Sequence, residues 1–239
     1  MRWGLIADIH ANKYALEAVL NEFRRQHVQK IVSLGDLTGG GPHPEEVIRI
    51  LRNVALICVI GDHDLHVLGR AKHYLHLYSD SLVDNFQKTA QQLSKESLEW
   101  LGKRPRVSYW REHIFVHASP FNCFYGDIVA TSSVMKEKLA YGYTFAGHTH
   151  RPMLIRNGVN VKRGNVVKLE MRDIVVLGSV GWPNGPTPKA HAAIWDVGEK
   201  TVQYLEVDYD VEQFLKEAQE NGYARFTKHD IRIREGLPA

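Results

Sequence analysis

The sequence predicts an α/β protein in which two sheets lie face to face with helices outside. Three observations carry this prediction. Residues 2–60 alternate short apolar runs with helical patterns. Residues 64–104 are polar and helical, with no strand signal. From residue 107 onward a second set of short apolar runs follows.

Taken in order, residues 2–7 form an apolar strand that stops at Asp8. Asn12 to Phe23 has helical spacing, with Leu16, Val19, Leu20 and Phe23 on one face. Ile31 to Leu34 is a strand ending at Gly35-Asp36. Pro44 to Leu51 reads as a helix, because proline sits near its start and Glu45 and Glu46 fall in its first turn. Leu56 to Ile60 is a strand ending at Gly61-Asp62. This β-α-β-α-β rhythm predicts parallel pairing with right-handed crossovers. In the second half, Val107 to Trp110, Ile114 to His117 and Tyr143 to Ala146 read as strands, and Val134 to Leu139 as part of a helix. Leu154-Ile155 and Val159 to Val161 flank Asn157-Gly158, a strong hairpin signal. Ile174 to Leu177, Ala192 to Trp195 and Val202 to Val207 complete the strands, and Val211 to Ala218 is a helix. The expected organisation is one domain over residues 1–220, with a helical cap at 64–104 and a basic tail at 221–239.

Composition narrows the function classes. Of 239 residues, 44% are hydrophobic and 24% charged, as in ordinary globular proteins. A net charge of +3 is too small to argue for a nucleic-acid or membrane surface. The two cysteines, Cys58 in a strand and Cys123 in a loop, imply no disulfide framework. The N-terminal run lacks a signal-peptide layout, and no apolar run is long enough to span a bilayer. No membrane association and a cytoplasmic location are therefore expected. Nothing in the composition speaks for or against a homo-oligomer.

The unusual count is histidine, at 13. Each early strand ends in a turn bearing a carboxylate: Asp8-Ile9-His10, Gly35-Asp36, and Gly61-Asp62-His63-Asp64. In open α/β sheets, ligands bind beyond the carboxyl ends of the strands. His117 and Gly147-His148-Thr149-His150 follow strands of the second half. Singly, Asp-x-His reads as a capped turn and Gly-Asp as a plain turn. Gly39-Gly40-Gly41 lacks a phosphate-loop pattern and reads as a flexible turn. Together, the carboxylates and imidazoles suit borderline or hard divalent metals such as Mn²⁺, Zn²⁺ or Fe²⁺.

The series Asp-x-His, Gly-Asp, Gly-Asp-His-Asp, Val-His and Gly-His-Thr-His resembles the motif set of the calcineurin-like metallophosphoesterases. Flanking stretches such as Asp8-Ile9-His10-Ala11-Asn12 and Val116-His117-Ala118-Ser119-Pro120 resemble the small prokaryotic phosphodiesterase-like branch. The resemblance spans residues 3–208 and weakens in 64–104. It implies a four-layer α/β/β/α sandwich and two metal ions, manganese first, with zinc or iron as alternatives. It implies that Asp8, His10 and His150 bind one ion, that Asp62, His117 and His148 bind the other, and that Asp36 bridges them. His63 would be the catalytic histidine, with Asp64 orienting its ring. The implied activity is hydrolysis of a small phosphorylated substrate, such as a nucleotide or other phosphodiester. A metal-bridged hydroxide would attack, and His63 would serve as general acid. The competing reading is a weakened, non-enzymatic scaffold or sensor of the same fold.

One position departs from the family. Asp62 stands where the motif carries Asn. An Asn ligand keeps an NH₂ donor, whereas Asp loses it and adds a negative charge. Two divalent ions carry four positive charges, which Asp8, Asp36, Asp62 and a hydroxide would cancel. A phosphomonoester dianion should suffer more from this than a diester monoanion, because the Coulomb energy scales with ligand charge. Asp62→Asn should therefore raise monoester hydrolysis more than diester hydrolysis at equal metal occupancy. An unchanged ratio would show that charge at this position does not set substrate class.

Overall fold

The computed structural model describes residues 1–119, 142–162, 164–183 and 186–223. Alternation along the first strand decides the layering. β1 (Arg2–Ile6) turns Trp3, Leu5 and the following Ala7 into the core between the sheets. Ile6 faces the helices instead, and Gly4 receives the ring of Phe23. β2 (Lys30–Leu34) and β3 (Ala55–Val59) pair in parallel alongside β1. The crossovers are α1 (Lys13–Arg25) and α2 (Pro44–Val54), whose apolar faces bury Leu16, Val19, Leu20 and Phe23, and Val47, Ile48 and Leu51.

The sequence reading assigns the later strands to a second set, but two of them, with a third strand it did not foresee, extend the first sheet. β11 (Ala190–Asp196) pairs antiparallel with β1, β12 (Thr201–Val207) with β11, and β9 (Val166–Lys168) with β12. The first sheet thus runs β3-β2-β1-β11-β12-β9. Alternation reports which face a residue shows, not which strand lies beside it. β9 was not anticipated at all. It is a short edge strand whose Val166 is exposed, so it carries no burial signal.

The second sheet runs β4 (Val107–Trp110), β5 (His113–Val116), β6 (Thr144–Ala146), β10 (Ile174–Val176), β7 (Met153–Arg156) and β8 (Val159–Asn160). β7 and β8 form the predicted hairpin, with positive φ at both Asn157 and Gly158. Between the sheets, Trp3, Phe115, Phe145, Val175 and Trp195 pack together. Trp195 contacts Trp3, Trp110 and Phe145 at centroid separations of 5.6, 5.7 and 4.8 Å.

After β3 the chain forms α3 (Asp62–Val67), a 3₁₀ turn (Lys72–Leu77), α4 (Asp80–Gln92) and α5 (Lys95–Gly102). The last helix, α6 (Val211–Glu220), buries Phe214 and Ala218. Packing continues past it: Tyr223 is fully buried, and its hydroxyl donates to Gln92 at 2.8 Å. The predicted helix at 134–139, Cys123 and the tail from 224 lie outside the described residues. Among those described, no helix is long and apolar enough to cross a membrane.

Gly4 is a tight point of contact between sheet and helix. A Cβ added there would lie 2.4 Å from Phe23 Cε2, and Phe23 is buried. Gly4→Ala should cost about 1–3 kcal/mol by overpacking, read by urea unfolding. Pairing it with Phe23→Leu should give less destabilisation than the sum of the two single changes, because the smaller side chain relieves the clash.

Candidate metal centre

Both sheets deliver residues to one edge. Asp8 and His10 follow β1, Asp36 follows β2, and Asp62 opens α3 just after β3. His117 follows β5, and His148 and His150 follow β6. Five of these seven, Asp8, His10, Asp36, His148 and His150, have φ between 48° and 69°. Left-handed backbone costs about 1–3 kcal/mol for a residue with a side chain and persists only where neighbours enforce it. Here backbone bonds between adjacent strand ends enforce it. Asp8 N donates to Gly35 O at 3.0 Å, His10 N to Asp36 O at 2.9 Å, and Gly147 N to His117 O at 2.7 Å.

Close approach explains the glycines beside the ligands. A Cβ on Gly61 would lie 2.0 Å from Asp36 Oδ1. The Gly39-Gly40-Gly41 stretch is not the flexible turn its composition suggests. All three are buried, Gly41 N donates to His10 O at 2.6 Å, and a Cβ on Gly40 would lie 2.7 Å from His10 Cβ. The loop forms a wall packed behind His10.

The side chains converge in two sets. In one, His10 Nε2 and His150 Nε2 are 3.1 Å apart, and His150 Nε2 is 3.5 Å from Asp8 Oδ1. In the other, His117 Nε2 and His148 Nδ1 approach Asp62 Oδ1 at 2.9 and 3.1 Å. Asp36 lies between, with Oδ2 3.8 Å from His10 Nε2 and 3.4 Å from His117 Nε2. Outer contacts aim the rings. Nδ1 of His117 donates to Leu34 O and Nδ1 of His150 to Trp182 O, each at 2.7 Å, which turns both Nε2 atoms inward toward the cluster. Both oxygens of Asp8 accept from His148 N, at 3.1 and 3.0 Å.

The electrostatics ask for positive charge. Asp8, Asp36 and Asp62 are buried within one cluster. Burial, and then the neighbouring Asp62 charge, push Asp36 well above the usual carboxylate range. Burial opposes the charged form of His117, yet Asp36, Asp62 and Asp8 raise it well above an ordinary histidine. Burial also works against ionised Asp62, but hydrogen bonds from His117 and His148 hold its carboxyl well down. With only the chain's own groups present, protons supply the charge the cluster needs. Burial, followed by the nearby His63 and His150, pushes His10 well below its usual value, so its ring is neutral and free to donate a lone pair. Nitrogen and carboxylate donors without thiolate fit borderline or hard divalent ions. The two sets, joined at Asp36, offer donor atoms that could serve two such ions.

One expectation changes at this point. Asp64 does not touch the His63 ring. Its carboxylate accepts from Leu37 N at 3.2 Å, Thr38 N at 3.0 Å, Thr38 Oγ1 at 2.9 Å and Gly61 N at 3.1 Å. Those donors saturate it as a clamp between the turns after β2 and β3. In the segment after β3, His73, Tyr74 and His76 are exposed. His66 stacks on Phe86 at 5.0 Å. Tyr78, from the same segment, touches a candidate ligand: its hydroxyl donates to Asp62 Oδ2. No motif marks it, because its closeness to Asp62 comes from the path of the 3₁₀ turn. Cys58 is buried, with its thiol pushed up to about 12 by burial, and is inert.

A proton-linked centre has a measurable signature. His117 and Asp36 both hold protons more tightly in the folded, metal-free chain than when unfolded. The contribution of His117 is complete below its unfolded value near 6.5 and is lost as pH rises through its raised folded value. Asp36 has the same sign, since its raised folded value makes ionisation destabilising. The chelator-treated chain should therefore lose thermal stability as pH rises above neutral, and Mn²⁺ should abolish that slope. Calorimetric titration in buffers of different ionisation enthalpy should show net proton release on metal binding. A metal-free chain whose stability rises with pH in that range would contradict the arrangement.

Known proteins resemble this chain in sequence and in fold. The profile of the calcineurin-like phosphoesterase superfamily domain matches residues 1–200. An uncharacterised protein of Methanocaldococcus jannaschii is 29% identical over 232 residues, 91% of this chain and 92% of that one. A symmetrical bis(5'-nucleosyl)-tetraphosphatase of Methylobacillus flagellatus is 32% identical over 117 residues, covering 47% of this chain and 41% of that enzyme. The crystal structure of a metallophosphoesterase from Sphaerobacter thermophilus superposes with a TM-score of 0.81 at 31% identity, covering 93% and 95% of the two chains. With a family profile matching residues 1–200 and a solved metallophosphoesterase of the same fold, the chain belongs to the calcineurin-like phosphoesterase superfamily.

Proposed function

We propose that the chain hydrolyses phosphoester bonds with a dinuclear metal centre, and that its substrate is a small phosphodiester or a dinucleoside polyphosphate. The observation that carries this is the pair of three-residue ligand sets, Asp8-His10-His150 and Asp62-His117-His148, meeting at Asp36. Each set would hold one ion and Asp36 would touch both. Manganese suits these donors, as do zinc and iron. When bound, the ions lower the pKa of water to give a nucleophile at neutral pH and neutralise phosphoryl oxygens.

The protein's own groups supply orientation and a proton. The His63 ring stands edge-on to His10 at a centroid distance of 4.6 Å. Burial pushes its pKa down to about 4, so the resting ring is neutral. A phosphoryl anion beside it would raise its affinity for a proton, which it would pass to the leaving oxygen as general acid. His63 N donates to Asp36 Oδ1 at 3.0 Å, tying the acid to the shared ligand. Asp64 acts at one remove, by clamping the turns that carry Asp36 and His63. The diester preference rests on the charge of Asp62. The dinucleoside class rests on the tetraphosphatase relatives, of whose length this chain spans less than half.

The test uses manganese-loaded chain against phosphomonoesters, linear and cyclic diesters and dinucleoside tetraphosphates. Two Mn²⁺ per chain and hydrolysis concentrated in the last two classes are expected. Fewer ions, or no hydrolysis of any class, would overturn the reading. His63→Ala should lower turnover by at least ~100-fold with metal content intact, and by less for nitrophenyl esters, whose leaving group needs little protonation. An equal loss for good and poor leaving groups would make His63 a hydrogen-bond donor rather than an acid.

A further inference from the structure

Neither carboxylate oxygen of Asp62 is bare. Oδ1 faces His117 Nε2 at 2.9 Å and His148 Nδ1 at 3.1 Å, on the side of the second ligand set. Oδ2 points the other way and accepts the hydroxyl of Tyr78. An Asn in this position would carry its NH₂ where Asp62 carries one of these oxygens, so replacing it creates one surplus acceptor and one negative charge. Tyr78 provides a donor for that surplus acceptor. Its ring also stands edge-on to His63 at 5.6 Å, which places the hydroxyl contact on the side of the centre where His63 lies. Contacts with His66 at 4.7 Å and Phe86 at 5.4 Å fix the ring, and a backbone bond from Tyr78 N to Leu75 O at 3.0 Å fixes its main chain.

We propose that Tyr78 is a positioning residue that makes Asp62 workable in a phosphoryl-binding centre. Its hydroxyl holds the carboxylate with Oδ1 toward His117 and His148, and it offsets the charge on the oxygen that would otherwise repel a bound phosphoryl group. Asp62 and Tyr78 together thus do the work of a single Asn. The inference rests on the reading of the cluster as a dinuclear phosphoryl site.

The experiment is a double-mutant cycle of Tyr78→Phe and Asp62→Asn on the manganese-loaded chain. Binding of inorganic phosphate is read by calorimetry and metal content by atomic absorption. Phenylalanine keeps the ring contacts with His63, His66 and Phe86, and thermal unfolding of each variant checks that the fold is kept. In the Asp62 background, Tyr78→Phe should weaken phosphate binding by about 10-fold, as for a lost hydrogen bond to a charged group, with two Mn²⁺ retained. In the Asp62→Asn background the same change should cost less than about 2-fold, because no surplus oxygen remains to be satisfied. Asp62→Asn alone should bind phosphate at least as tightly as the parent, which gives an arm independent of how Tyr78→Phe folds. Equal losses in both backgrounds, no loss in either, weaker binding by Asp62→Asn, or loss of an ion from Tyr78→Phe would each overturn the proposal. A parent chain that holds fewer than two Mn²⁺ or binds no phosphate would instead bring down the dinuclear reading along with it.

Discussion

The constraint on which this structure turns is a set of buried carboxylates that cannot all be ionised without nearby positive charge. Asp8, Asp36 and Asp62 sit in one dry cluster with His10, His117 and His150. The opposing directions of their proton affinities express the conflict. Asp36 and His117 cling to protons, while Asp62, flanked by His117 and His148, gives its proton up. Desolvated like charges are tolerated only when paired, protonated or bound to cations. A site built this way is costly as plain structure, and the cost makes sense for a place that takes up divalent ions.

The rest of the fold serves that cluster. Its members come from strands of both sheets, so the packing between the sheets fixes how the ligand sets meet. Trp3, Phe115, Phe145 and Trp195 fill that interface as a dense apolar layer. Close-packed interiors transmit small displacements rather than absorbing them. The left-handed backbone at five ligands is a second support, and bonds between neighbouring strand ends hold it. Asn12 adds a third. It caps α1 by accepting from Ala15 N at 3.1 Å and reaches across to Gly181 O at 3.2 Å, joining the first motif to the turn before β11.

Two carboxylates of the third motif find their partners nearby in space. The carboxylate at position 62 meets a tyrosine from the cap. The carboxylate of Asp64 is absorbed by the turn after β2, where it satisfies backbone donors instead of steering His63. In both cases the nearest donors, rather than the motif, decide what the side chain does.

Much of this was legible in the sequence, for clear reasons. Period-2 and period-3.6 patterns located nearly all the described strands and helices, because burial on one face is a local property of the chain. Asn157-Gly158 announced its hairpin, since only such residues accept two positive φ angles in succession. The ligands could be read because acids and imidazoles stood immediately after strand ends, and strand ends share an edge. Three things were decided only by tertiary structure. The placement of β9, β11 and β12 in the first sheet depends on long-range pairing, which a face pattern does not encode. The role of Asp64 depends on which donors lie within reach. The meeting of Tyr78 with Asp62 depends on the path of the chain after β3. In each, the deciding contact joins residues remote in sequence, and no local spacing records it.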